Sequence, residues 1–214
     1  MPTIVISENS VRDYTGVTDT QIKESAPTTN YSAATTMEAT SYGSGDRTNA
    51  LIAVAAPGLG GAISVSSATF EAYQQSAEAG TRNISLFKLL RGDASATWNT
   101  YDGTNNWTTA GGLGNGTDYD STAIVTLAVA ATVEYKSWSN AGLAAYVQTQ
   151  INAGNPMKFI LQRNPIAAQD TTYNVFFTSN EADTFRPKLT VVYTLSSPPQ
   201  FFQYAWPHQL HARR

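Results

Sequence analysis

Hydrophobic and polar residues alternate along several short segments of the chain, which is the pattern of half-buried β-strands. The clearest case covers residues 63–74, where Ala68, Phe70 and Ala72 share one face while Thr69 and Glu71 share the other. Similar runs predict further strands over residues 4–6, 37–40, 47–55, 83–90, 123–130, 158–162, 174–178 and 188–194.

One segment instead has the spacing of a helix. Between residues 139 and 153, long side chains recur every three or four positions, at Leu143, Tyr146, Val147, Gln150 and Ile151. Ser139 is a suitable N-cap residue, and Gly154 suits the position just beyond the C-terminus. The sequence therefore predicts one short helix near residues 139–153.

Roughly eight to ten strands with a single helix, lacking a strand–helix–strand rhythm, predict an all-β fold. We expect an antiparallel β-sandwich of jelly-roll type that forms one domain over residues 1–195. Residues 196–214 read as a Pro-containing linker and an aromatic tail, which is too short to fold alone. The apolar side chains of this tail favour docking onto a partner subunit, and docking onto the chain's own domain is the alternative. The candidate docking residues are Phe201, Phe202, Tyr204 and Trp206.

Composition narrows the classes of function. Only 14% of the residues are charged and the net charge is −3, so the chain lacks the basic surface needed to bind nucleic acid. The sequence has no cysteine, which excludes disulfides and thiolate chemistry. No segment approaches the roughly 18 apolar residues of a membrane-spanning helix, and the first residues do not resemble a signal peptide. We therefore expect synthesis in a host cytoplasm, without membrane insertion.

Residues 96–121 combine aromatic side chains with many glycines, which raises the question of a ligand. Exposed aromatic rings stack on sugars, so Tyr101, Trp107 and Tyr119 are candidate glycan-binding residues. The alternative is that the aromatic rings fill a core beneath a long loop. That alternative is favoured for Trp98, which stands in the alternating run Ala96–Asn99, and it stays open for Tyr101 and Trp107.

The same region contains candidate metal and catalytic groups. Asp93, Asp102, Asp118 and Asp120 are candidate calcium ligands, because calcium takes carboxylate oxygens from flexible loops. Aspartates in such loops more often form turns by binding their own backbone. The histidines, His208 and His211, both lie in the tail. We expect no catalysis and no cofactor, with a structural calcium ion as the alternative.

Several residues, taken in order, resemble the DNRLRE domain, also classed as carbohydrate-binding module family 96. The match extends over roughly residues 12–194. The residues that carry it are Asp19, Pro27, Asn30, Tyr31, Arg47, the segment 51–54, the segment 68–73, the segment 96–99, Trp107, the pair 111–112, the segment 118–122, Ser179, Glu181, the pair 186–187, the segment 189–191 and Tyr193. The resemblance implies a β-sandwich of a kind that is appended to secreted enzymes, sometimes binds acidic polysaccharide, and also occurs in bacteriophage virion proteins.

Together these observations predict a non-catalytic structural or attachment protein of a bacteriophage particle, as a capsid decoration, fibre or tail component. Its expected location is the virion. Its expected partners are capsid or tail subunits and further copies of itself. The alternative is a carbohydrate-binding module that recognises a polysaccharide.

Overall fold

The computed structural model describes residues 2–7, 16–41, 45–163, 173–181 and 183–196. These residues form eleven strands, a helix and a short 3₁₀ turn over Asp183–Phe185. The strands are β1 (Thr3–Ser7), β2 (Val17–Lys23), β3 (Thr36–Ser41), β4 (Arg47–Val54), β5 (Ile63–Ala77), β6 (Arg82–Lys88), β7 (Val125–Val129), β8 (Glu134–Ser139), β9 (Met157–Arg163), β10 (Tyr173–Phe177) and β11 (Lys188–Leu195). The predicted all-β class is confirmed.

All the paired strands run antiparallel in one curled sheet, in the order β1-β11-β5-β10-β3-β4-β9-β6-β7. Strand β8 adds to β5 and strand β2 adds to β4. Strands β8 and β6 lie on facing parts of the curled sheet, where the indole N–H of Trp138 donates to the carbonyl of Ile84 at 3.0 Å. The result is the sandwich-like arrangement expected from the sequence.

The main core lies between the facing halves and follows from the alternation in the strands. On β5, Ala68, Phe70 and Ala72 are buried, while Thr69 and Glu71 on the opposite face are partly exposed. The ring of Phe70 lies 5.9 Å from those of Trp138 and Phe159, measured between centroids. Burial of such aromatic rings removes a large apolar area from water and holds the two halves together.

The search for apolar alternation misses two strands, β2 and β8, because polar residues occupy some of their buried positions, including Lys136 on β8. Asp19 and Gln21 on β2 are buried, and each is bound by backbone. The carboxylate of Asp19 accepts the N–H of Ser179 at 2.7 Å, and the side-chain oxygen of Gln21 accepts the N–H of Glu38 at 3.0 Å. Buried polar groups with such partners are compatible with a strand, although they hide it from a search for apolar alternation.

The helix α1 (Ala141–Ala153) packs across β5 and begins one residue later than predicted. Asn140, and not Ser139, is the N-cap, since its side-chain oxygen accepts the N–H of Leu143 at 2.7 Å. Gly154 ends the helix in the left-handed conformation, as predicted, with φ of 68°. In the part of the chain that the structure describes, no helix is both long and apolar enough to cross a membrane.

Candidate functional site

A second apolar cluster covers the outer face of strands β2, β4, β9 and β6. It exists because apolar residues occupy both faces of these strands: Leu51 and Ile160 point outward, whereas their neighbours Ile52 and Phe159 belong to the main core. Residues 89–124, here called the covering loop, pack over this face. The cluster, called the outer cluster, consists of Ile22, Leu51, Phe87, Leu89, Ala96, Trp98, Trp107, Tyr119 and Ile160.

Trp98 fills the outer cluster, in agreement with the core role favoured by the sequence. It is only 5% exposed, and the guanidinium of Arg47 lies 5.5 Å from its ring centroid. Gly111 crosses the ring so closely that a Cβ atom there would lie 2.6 Å from it. The side chain of Asn49 donates to the carbonyl of Gly111 at 3.0 Å, which fixes this crossing over the sheet.

Trp107 and Tyr119 are also buried, at 5% and 8% exposure. The indole N–H of Trp107 donates to the carbonyl of Thr97 at 2.9 Å. The ring of Tyr119 packs edge-on against Phe87 with centroids 5.5 Å apart, and burial raises the pKa of its hydroxyl. Both residues therefore serve as contacts between the covering loop and the sheet.

This burial corrects the predicted glycan platform. Tyr101, Trp107 and Tyr119 do come together around the outer cluster, but sugar stacking needs a ring face open to solvent. Trp107 and Tyr119 offer no such face, because both rings pack between the loop and the sheet, which removes their apolar area from water. Tyr101 is partly buried, with the guanidinium of Arg91 4.9 Å from its ring centroid and Trp107 edge-on at 5.9 Å.

Asp118 is the polar centre of the covering loop. Its side chain is 0% exposed and pairs with the guanidinium of Arg91. Its carboxylate also accepts the backbone N–H groups of Thr108, Thr109 and Gly114, at 3.1, 3.0 and 2.9 Å. Burial by itself would raise the pKa of this carboxyl, but these donors outweigh burial and hold the pKa below its ordinary value. As a carboxylate, Asp118 thus joins Arg91, the adjacent residues Thr108 and Thr109, and Gly114.

The other predicted calcium ligands each close a local turn. Asp93 accepts the N–H of Ser95 at 2.8 Å. The N–H and side-chain amide of Asn105 are the main donors that lower the pKa of Asp102. The N–H of Thr122 is the main donor that lowers the pKa of Asp120. Among the described residues, no three acidic, histidine or cysteine side chains meet in a group that could hold a metal ion.

The surface of the described residues has a groove that the sequence did not predict. It encloses about 550 Å³ between α1 and the adjoining ends of β6 and β9. Its polar walls include Lys88, Tyr146, Thr149, Gln150 and Asn155. The one available signal was the pair Gly142 and Ala145, small residues three positions apart on the exposed side of the helix, which leave room beside it.

A partly exposed aromatic cluster on the opposite half of the sheet was also missed. Tyr73 on β5 lies 5.2 Å from Tyr135 on β8 and 4.5 Å from Phe185 in the 3₁₀ turn, between ring centroids. The hydroxyl of Tyr135 donates to the carbonyl of Thr184 at 2.6 Å. These contacts fasten the segment between β10 and β11 to the sheet, so the cluster has a clear structural role. The predicted docking residues of the tail, from Phe201 to Trp206, lie outside the described residues, as do His208 and His211.

The chain matches no protein-family model and no curated protein. The resemblance to the DNRLRE domain stays a prediction that depends on the residues quoted above. Two of those residues meet in the structure, because the side-chain amide of Asn30 donates to the carbonyl of Ala96 at 3.0 Å and to that of Ala94 at 2.7 Å. Asn30 and the quoted segment 96–99 therefore lie together near the start of the covering loop.

Proposed function

We propose that this chain is a non-catalytic structural or attachment protein of a bacteriophage particle, built on a β-sandwich like that of a carbohydrate-binding module. The observation that carries the proposal is the construction of the covering loop. Its aromatic rings pack onto the sheet, and the carboxylate of Asp118 binds the loop backbone at Thr108, Thr109 and Gly114. These contacts hold the loop rigidly against the sheet, which suits a structural protein.

The acidic residues of the loop support a structural role over a catalytic one. A general acid or base works best when its pKa lies near the working pH and its oxygen can reach a substrate proton. The pKa values of Asp102, Asp118 and Asp120 are instead lowered, and their oxygens accept bonds from the protein. These groups remain carboxylates at neutral pH, where they hold turns in place.

The particle location is supported by composition and by the resemblance stated above. Charged residues make up only 14% of the chain, and Thr, Ser, Asn and Gly take their place on the surface, as in many virion β-proteins. The proposed partners are capsid or tail subunits and other copies of the chain. The proposed contact is the aromatic tail, including Phe201 and Trp206, whose residue types dominate interface hot spots.

Mass spectrometry of particles purified from a lysate of a phage that carries the gene tests this proposal. We expect the chain at a fixed ratio to the capsid protein, and we expect a variant with Phe201→Ala and Trp206→Ala to fold but to leave the particle. Finding the wild-type chain only in the soluble fraction would contradict the particle role. A gene placed among polysaccharide-degrading enzymes, away from capsid and tail genes, would contradict it as well.

A second candidate function is polysaccharide recognition, which one observation favours. The groove beside α1 has a volume of about 550 Å³, within the range of roughly 300–1,000 Å³ that is usual for small-ligand sites. The two candidates are compatible, because a particle protein that adheres to surface sugars would perform both.

A further inference from the structure

Strand β1 lies at one end of the sheet and pairs on one side only. Its partner is β11, and no other strand in the part of the chain that the structure describes pairs with its second side. The carbonyl of Pro2 accepts the N–H of Tyr193 at 3.1 Å, so Pro2 and every second residue after it bond to β11. The backbone groups of Thr3, Val5 and Ser7 therefore point away from the sheet, where a further strand can bind them.

The other strands of the described sheet that pair on one side only, β2, β7 and β8, are protected. Strand β2 is largely buried, with the N–H groups of Glu38 and Ser179 donating to its side chains. Strands β7 and β8 lie beside each other, and β8 carries the charged residues Glu134 and Lys136. Covered edges and charged side chains are common means of preventing a sheet edge from pairing with another chain.

Strand β1 has neither kind of protection among the described residues. Its five residues, Thr3–Ser7, are all uncharged, and most of them are β-branched, which favours an extended strand. Ile6 is buried in the main core, and Ile4 is partly exposed beside it. Val5 is partly exposed on the opposite face. The edge thus presents unpaired backbone groups together with apolar side chains, which is the usual template for an added strand.

We propose that β1 pairs antiparallel with β1 of a second copy of this chain, so that the two sheets join across a two-fold axis. The outward groups are centred on Val5, which suits such an axis. With Val5 opposite Val5 of the second copy, Thr3 lies opposite Ser7, and every outward N–H and C=O of these residues gains a partner. Since β1 carries no charge, the pairing brings no like charges face to face.

Pairing through β1 rests on the proposed function, which makes further copies of the chain its partners, and it gives them a contact separate from the aromatic tail. The contact is expected to be weak between isolated chains, because five residues a side are few beside the roughly 20–30 of a standard interface. On a particle, neighbouring copies are held close together, and the higher effective concentration strengthens the same contact.

Oxidative trapping of the purified full chain tests the register, with diamide as the oxidant. The sequence has no cysteine, so Val5→Cys introduces a single thiol at the centre of the proposed pair. Residues opposite each other in a hydrogen-bonded pair have Cα atoms about 5.5 Å apart, which a disulfide can span. The matched control is Thr190→Cys, because Thr190 is partly exposed and lies opposite Val5 on β11.

Two Thr190 residues would be separated by three strand spacings, about 14 Å, which is too far for a disulfide. We therefore expect Val5→Cys to form a covalent dimer much faster than Thr190→Cys. Equal rates of dimer formation in the two variants would overturn the proposal.

Sedimentation velocity from micromolar to millimolar concentration tests self-association without a cross-link. We expect the wild-type chain and Val5→Thr, which keeps the backbone donor, to sediment faster as the concentration rises. Val5→Pro removes an N–H that does not bond to β11, so it should abolish association and leave the circular dichroism spectrum unchanged. Val5→Lys, which sets two like charges opposite each other, should weaken association severalfold and covers the case that the proline variant does not fold.

A wild-type chain that stays monomeric over the whole range would contradict the pairing. So would folded Val5→Pro and Val5→Lys chains that associate as the wild type does.

The outcome is separable from that of the particle experiment. A chain that pairs through β1 in solution but never enters particles would support the edge contact and refute the particle role. A chain that enters particles but is neither trapped nor associated through β1 would refute the edge contact and leave the particle role standing. If such a monomeric chain lost its place in the particle through Val5→Pro, β1 would pair with a different protein, and the second copy proposed here would be wrong.

Discussion

Replacing Asp118 by alanine should loosen the covering loop more than any other single change to its acidic residues. The carboxylate is fully buried, and it accepts bonds from Arg91 and from the N–H groups of Thr108, Thr109 and Gly114. Its removal leaves a cation and three N–H donors without their acceptor. Breaking a buried ion pair from one side costs about 3–5 kcal/mol. The side chain of Arg91 is 32% exposed and can turn to water, so we expect a value near the lower limit, about 3 kcal/mol.

Urea unfolding followed by tryptophan fluorescence measures this change in the free energy of unfolding. Trp98 and Trp107 report on the loop, and Trp138 reports on the main core. The matched control is Asp120→Ala, because the Asp120 side chain is 35% exposed and its pair with Lys88 is worth at most about 1 kcal/mol. Equal, small losses in the two variants would refute the view that Asp118 organises the loop.

The pH dependence follows from the same group. The pKa of Asp118 is lower in the folded chain than the value of about 3.9 expected when unfolded, so its contribution is fully present above that value. It is lost as the pH falls through the folded pKa. Two other predictions concern backbone geometry and capping. Gly111→Ala should lower the free energy of unfolding by about 2–4 kcal/mol, since φ is +82° and the new Cβ would meet the ring of Trp98. Gly116 has a φ of +74° but open space around it, so Gly116→Ala should lower the free energy of unfolding by only about 1–2 kcal/mol. Asn140→Ala removes the N-cap and should lower the free energy of unfolding, measured by thermal unfolding, by about 1 kcal/mol. Asn140→Ser keeps a capping oxygen and should lower it by only a few tenths of a kcal/mol. Equal losses in the two variants would contradict the cap assignment.

The sequence allowed most of the sandwich to be predicted, because burial on one face leaves a two-residue period. The strands β5 and β6 illustrate this: Phe70 and Leu86 point into the main core as their alternation indicates. Strands β2 and β8 were missed because Asp19 and Lys136 occupy buried positions that a hydrophobic pattern does not register. Asp19 is stabilised by a partner distant in sequence, Ser179, whereas the ammonium of Lys136 donates to Thr132 and Glu134 in its own segment.

The candidate site was harder to predict than the fold. An aromatic residue in a Gly-rich loop has the same local sequence whether it faces solvent or a second core. Trp107 is buried only because Leu51 and Ile160, on two separate strands, turn apolar side chains to the outer face. The groove beside α1 depends on the placement of the helix against β6 and β9, which the small residues Gly142 and Ala145 do not by themselves encode.

Hydrogen exchange of the tryptophan indole N–H groups tests the central claim, that the aromatic residues of the covering loop form a packed cluster. The indole of Trp107 is buried and bonded to Thr97, and that of Trp138 is buried in the main core and bonded to Ile84. We predict that both exchange much more slowly than an exposed indole, and that Asp118→Ala accelerates Trp107 while leaving Trp138 slow. Exchange of Trp107 at the rate of a free indole in the wild-type chain would contradict the account.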